Sequence, residues 1–238
     1  MITLHQLQHP IAKTIPLSAI IDTALCIGAG GSTGSIADKP IVRNVQGQLI
    51  IPGSQLKGRL RHECEKLARS LGWWVTESPI AEKMSPDCIP DEFKHQTHHY
   101  QILGYPGYHC FISQIFGNPI LPSRLVMDDL VCEISKEALG EVIRPGVSIN
   151  RSRRTAEDQK LFFLETSPSN AQLVFTGQFQ LLTGCPDYAE PLIAAALTSI
   201  HALGGSKSAG LGWLHWRDRP TLAPDSEQWS QLTPPPSP

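Results

Sequence analysis

Ile51-Pro-Gly-Ser-Gln-Leu-Lys-Gly-Arg-Leu-Arg-His-Glu-Cys-Glu-Lys-Leu-Ala-Arg-Ser-Leu-Gly72 is the stretch whose reading decides the fold. Leu56, Leu60, Cys64, Leu67 and Leu71 recur at helical spacing and predict one amphipathic helix. Ser54 is placed to cap its start, and Gly72 to end it. Lys57, Arg59 and Arg61 crowd the first turns, where cations oppose the helix dipole. A bound anion there would reverse the sign, because free N–H groups and Lys57 would face it together. Snorkelling surface side chains are the plainer reading of the same three residues.

On the N-terminal side, 15–27 is an apolar strand-like run, followed by a glycine-rich loop and a short strand over Gln48–Ile51. On the C-terminal side, residues 73–123 have no strong period and many prolines. A structureless segment of that length implies a functional or metal-held insertion. Leu125 to Ile134 reads as a strand, 135–160 as a polar, basic loop, and Leu161 to Glu165 as a strand. Residues 171–183 alternate with Leu173, Phe175, Phe179 and Leu181 on one face. Pro191 opens a helix that Gly204 closes, a Gly/Ser loop follows, and Trp213–Trp216 is the last strand. The order is that of a βαββαβ core with large loop insertions, an α+β single domain of ferredoxin-like type. The domain is expected over 1–217, with the insertion at about 73–123 and a disordered, proline-rich tail over 218–238.

Composition narrows the function. The 238 residues are 41% hydrophobic and 18% charged, ordinary usage for a folded chain. No apolar run is long enough to span a membrane, and the N-terminus lacks a signal-peptide pattern, so a cytoplasmic location is expected. The net charge of −2 hides a polarised distribution. Twelve of the 20 basic residues lie in two stretches: Lys39, Arg43, Lys57, Arg59, Arg61, Lys66 and Arg69, then Arg144, Arg151, Arg153, Arg154 and Lys160. Either these are solvated surface segments or they make a cationic face for a polyanion.

Six cysteines without a CxxC pair are not a disulfide framework in a cytoplasmic chain. Cys64, Cys88 and Cys110 share an interval with His95, His98, His99 and His109, which fits a structural zinc in ligand type but not in spacing. The Gly-Gly-Ser-Lys-Ser run from Gly204 is not a phosphate loop of the NTPase kind, since it follows a helix and has the wrong order. No nucleophile is paired with a placed base. What remains is a set of glycine-rich and basic loops suited to phosphate contacts.

The segment Ile51–Arg61 resembles the signature of the RAMP superfamily, the repeat-associated proteins of CRISPR effector complexes. Four more segments fall in the matching order. Gly28–Arg43 is similar to the loop that precedes that signature in the backbone subunits of type III complexes. Ile115–Gly117 is similar to a short motif after the insertion. Val147–Thr155 with Leu161–Glu165 is similar to a thumb-like hairpin, and Gly204–Gly212 to the C-terminal glycine-rich loop.

The resemblance implies an RRM-type, ferredoxin-like palm. Its copies would stack along a guide CRISPR RNA beside other RAMP subunits and the large subunit of the effector complex. It implies RNA contacts by Arg43, Ser54, Lys57, Arg59, Arg61, Arg151, Arg153, Arg154, Ser206, Lys207 and Ser208. Asp38 matches the position at which such subunits cut target RNA with Mg²⁺ or another divalent ion; other subunits of these complexes bind without cutting. A structural zinc in the insertion is a further implication, with Cys88 and Cys110 completed by Cys64 or His62 and by His98 or His99.

Overall fold

A computed structural model describes residues 10–28, 37–134, 139–140, 142–223 and 226–232. The strands and helices are β1 (Ile11–Ile21), β2 (Ile50–Ile51), α1 (Gly53–Ser70), α2 (Thr97–Tyr100), α3 (Phe111–Phe116), β3 (Leu125–Met127) and β4 (Leu130–Cys132). They continue with β5 (Val142–Asn150), β6 (Thr155–Thr166), β7 (Leu173–Leu182), α4 (Ala189–Thr198) and β8 (Leu214–Asp218). One antiparallel sheet runs in the order β2-β4-β7-β1-β8, with β3 also on β7, and β5 and β6 form a separate hairpin. The path β1–α1–β3/β4–β7–α4–β8 is a βαββαβ core. The α+β architecture is therefore as expected and broadly consistent with a ferredoxin-like fold.

Period-2 alternation makes the sheet one-sided. Ile15, Leu17, Ala19 and Ile21 of β1 and Leu173, Phe175, Phe179 and Leu181 of β7 point into one core with Leu56, Leu60, Cys64 and Ala68 of α1 and Leu192, Ile193 and Ala196 of α4. The opposite face carries Pro16 and Thr176, both exposed, and is the open face.

Several boundaries differ from the sequence reading. The first strand ends at Ile21 rather than continuing to Ile27, because the chain from Asp22 leaves the ladder and bonds to three loops. The strand expected over 125–134 is two short strands, whose break at Asp128-Asp129 meets the start of α1. Ser54 does not cap α1: the cap position is Pro52, whose own side chain makes no capping bond. Residues 142–150, read as loop, are a strand that twists out with β6, so their exposure hides them from a core-based reading. The tail departs from its expected disorder over 226–232. Glu227–Leu232 is a 3₁₀ turn whose Leu232 is buried in the core, with Trp229 packed against the same core.

Aromatic contacts run through the insertion. Trp73, Phe111 and Tyr188 meet edge to face with centroids 4.8, 5.1 and 5.5 Å apart, and Tyr100 joins Trp74 and Phe111 at 5.0 Å each. Each such pair adds about 1 kcal/mol beyond its buried area. Burial pushes the Tyr188 phenol well up, and its O–H donates to Gln114 Oε1 at 2.9 Å. Among the described residues, no helix is long and apolar enough to cross a membrane.

Candidate nucleic-acid interface

Residues 22–28 are the hub of one end of the sheet. On one side, Ser167 N–H donates to Leu25 O at 2.9 Å, and Leu25 N–H returns to Ser167 Oγ at 2.8 Å. On the other, Gly205 N–H donates to Cys26 O at 2.6 Å and Gly212 N–H to Ala24 O at 2.8 Å. Val42 N–H reaches Ile27 O at 2.9 Å, and Gly28 bridges Ile41. The first loop, the base of the hairpin and the C-terminal glycine-rich loop therefore converge.

The glycines of that last loop are required by distance. A Cβ on Gly204 would stand 2.5 Å from Cys26 O, and one on Gly212 1.9 Å from Leu203 O; both residues have positive φ. Ser206 takes the left-handed conformation, and Ser206, Lys207 and Ser208 are exposed at the loop's outer side. Lys207 Nζ lies 3.1 Å from Gly204 O.

The first loop is fastened to β6 by carboxylates. Asp38, exposed, donates its N–H to Phe163 O at 3.0 Å and accepts Phe163 N–H on Oδ2 at 2.7 Å. Glu165 is buried: Oε2 accepts Ile41 N–H at 3.0 Å, and Oε1 lies 3.6 Å from the Arg43 guanidinium. Arg43 also donates to Gly47 O at 3.1 Å. The 29–36 part of the first loop lies outside the described residues. Arg151, Arg153 and Arg154 are all exposed in the turn of the hairpin. Asn150 Oδ1 accepts from Ser152 N–H and Arg153 N–H at 3.1 Å each and so shapes that turn.

The cations of α1 have partners within the chain. Lys57 Nζ donates to Ser123 Oγ at 2.7 Å and Leu125 O at 2.8 Å. Burial, and Arg61 beside it, hold its pKa below the usual lysine value. Arg59 pairs with Glu63 at 2.8 Å. Arg61 pairs with Glu65 at 3.0 Å and donates to Gly117 O at 2.9 Å. The anion expected at this helix start is supplied by the fold: Asp129 Oδ1 accepts Gly53 N–H at 2.7 Å. Ser54 is exposed in the same turn.

The four expected zinc ligands do not come together. Cys64 is fully buried under α1, its thiol pushed well up by burial and by Glu65 and Glu63. Cys110 is buried and caps α3, accepting Ser113 N–H on Sγ at 3.4 Å and lying 3.2 Å from Thr76 Oγ1. Cys88 is exposed, and His98 is exposed and packs on His99 at 3.9 Å. Among the described residues, no group of three or more His, Cys, Asp or Glu is placed to hold a metal ion. These side chains do not fit a zinc site, and Asp38 alone does not make a protein site for Mg²⁺.

Sequence reasoning missed Glu165 and Asp129. Glu165 was legible as an acid that directly follows the apolar run Leu161–Leu164. The model of the RAMP superfamily matches residues 20–215, a span that includes every element of this interface, and the chain belongs to that superfamily. No curated protein matches it.

Proposed function

From membership in the RAMP superfamily, we propose that this chain is an RNA-binding and assembly subunit of a type III CRISPR ribonucleoprotein. It would bind guide RNA along the complex backbone beside other RAMP subunits and the large subunit. The observation that carries the reading is the convergence of three phosphate-suited loops on residues 22–28: the loop of Asp38 and Arg43, the arginine-tipped hairpin, and the Ser206–Lys207–Ser208 loop. Exposed guanidinium groups, a lysine and close-packed glycine backbone are the groups that neutralise and bond phosphate oxygens. The β5–β6 hairpin would serve as a thumb, and the βαββαβ core as the palm.

A second reading, cleavage of complementary target RNA at Asp38, is favoured by one observation. The Asp38 carboxylate is exposed where the first loop meets the hairpin. A divalent ion there would supply charge neutralisation on the scissile phosphate. One carboxylate holds such an ion only with phosphate ligands from the RNA. The contact from Phe163 N–H to Oδ2 favours a different task for Asp38, that of fastening loop to hairpin.

The experiment is a reconstituted complex given guide-complementary RNA, with and without Asp38→Asn in every copy of this subunit. The binding reading expects assembly and guide retention in both, with no cleavage that depends on Asp38. Metal-dependent cleavage that Asp38→Asn abolishes would make the second reading the correct one. Loss of guide binding by the wild-type chain would sink both.

A further inference from the structure

The open face of the sheet ends in a strip of planar side chains beside the glycine-rich loop. Trp213 is 49% exposed, although its backbone is held on both sides. Its N–H donates to Thr23 Oγ1 at 3.0 Å, its carbonyl accepts Asp22 N–H at 2.8 Å, and it bridges Ala202. Leu214 points into the core, so Trp213 and His215 share the opposite face. The His215 side chain is 56% exposed, and its Nδ1 lies 2.9 Å from Asp22 Oδ2, which fixes the imidazole. The two rings stand two strand positions apart, roughly 6–7 Å.

The chain that enters Trp213 is the loop of exposed Ser206, Lys207 and Ser208. An exposed indole on a hydrogen-bonded backbone, next to a cationic, glycine-rich loop, is the combination that holds unpaired bases: the loop takes phosphate, and the ring takes a π-face.

We propose that Trp213 and His215 form a stacking platform for two unpaired nucleotides of the RNA held by the glycine-rich loop. The platform rests on the RNA-binding reading. It adds the chemical class of what this face takes, which is single-stranded bases rather than duplex backbone.

The test uses the full chain and a fluorescently labelled 12-nucleotide uridine RNA, with binding followed by anisotropy across a salt series. Trp213→Ala should weaken binding roughly tenfold, in the range seen for single stacked bases. It should leave the slope against salt unchanged, because stacking releases no counterions. Trp213→Phe should retain most of the affinity. In the wild type, photo-cross-linking with 4-thiouridine in the same RNA should label the peptide that contains Trp213, a readout that does not depend on how the variant folds. Wild-type affinity in Trp213→Ala, or cross-links confined to the hairpin, overturns the platform while leaving the RNA-binding reading intact. Wild-type affinity with lost self-association would assign the ring to contacts between copies and also overturn it. A wild-type chain that binds no RNA overturns the RNA-binding reading and the platform with it.

Discussion

Glu165 sits at the end of an apolar run, and both of its oxygens are engaged, one by Ile41 N–H and one near Arg43. Removing the carboxylate leaves a buried amide and a largely buried guanidinium without it. Glu165→Ala should therefore cost about 2–4 kcal/mol. Glu165→Gln, which keeps an acceptor for the amide, should cost less than half of that. Urea denaturation of the two variants checks the ordering, and equal losses would contradict it. Cys110 makes a second residue-level case. If its role is to cap α3 and pack beside Thr76, Cys110→Ser should lose no more than about 1 kcal/mol. A chelator should then leave the melting temperature of the wild type unchanged. A chelator-induced drop would restore a metal to the insertion. The residue types of that site were legible in the sequence but their geometry was not. Counting thiols and imidazoles says nothing about which of them fold under a helix, as Cys64 does, and which stay in water, as Cys88 does.

Elements were legible in proportion to how much they bury. Helix α1 announces itself because Leu56, Leu60 and Cys64 pack on one core at helical spacing. The β5 strand does not, because its burial alternates only between half-buried and exposed along its whole length. The insertion is an intermediate case: its order comes from aromatic contacts between Trp73, Phe111 and Tyr188, residues far apart in sequence and without a period. Within it, His109 is fully buried. Asn118 Nδ2 lies 2.9 Å from its Nδ1, and burial holds its pKa below the ordinary 6.5. The folded state thus resists a proton that the unfolded chain accepts. Stability is complete above the ordinary value and falls as pH drops below about 6.5, until the folded-state pKa is passed. Denaturation midpoints at pH 7.5 and pH 5.5 should show that loss, and His109→Gln should flatten it. An unchanged pH slope in the variant would assign the acid sensitivity elsewhere.

At the scale of the whole molecule, the sheet order follows from the order of apolar runs, which is why the α+β core could be read from the sequence. The distribution of charge could not. The two basic stretches look equivalent in sequence, yet Lys57 and Arg61 are spent on Ser123, Leu125, Glu65 and Gly117, whereas Arg151, Arg153 and Arg154 are exposed. The two groups should therefore answer differently to substitution. Replacing the three hairpin arginines with alanine should flatten the dependence of RNA affinity on salt by about two counterions, with little change in stability. Lys57→Ala should do the reverse, lowering stability by about 1–2 kcal/mol while leaving the salt slope nearly unchanged. Paired titrations and melts on the same preparations check both. A salt slope that responds chiefly to Lys57 would move the RNA path onto α1.

The 3₁₀ turn at Glu227–Leu232 bears on how the protein can be handled at the bench. Leu232 lies within the hydrophobic core, and Trp229 packs against that core. A tryptic cut after Arg217, or an expression boundary drawn at the last strand, would strip about 1.5–3 kcal/mol of apolar cover and leave a greasy scar. The clipped species should aggregate on warming and bind hydrophobic dyes. Purification handles therefore belong at the opposite terminus, and a stretch that composition alone marks as dispensable should be kept.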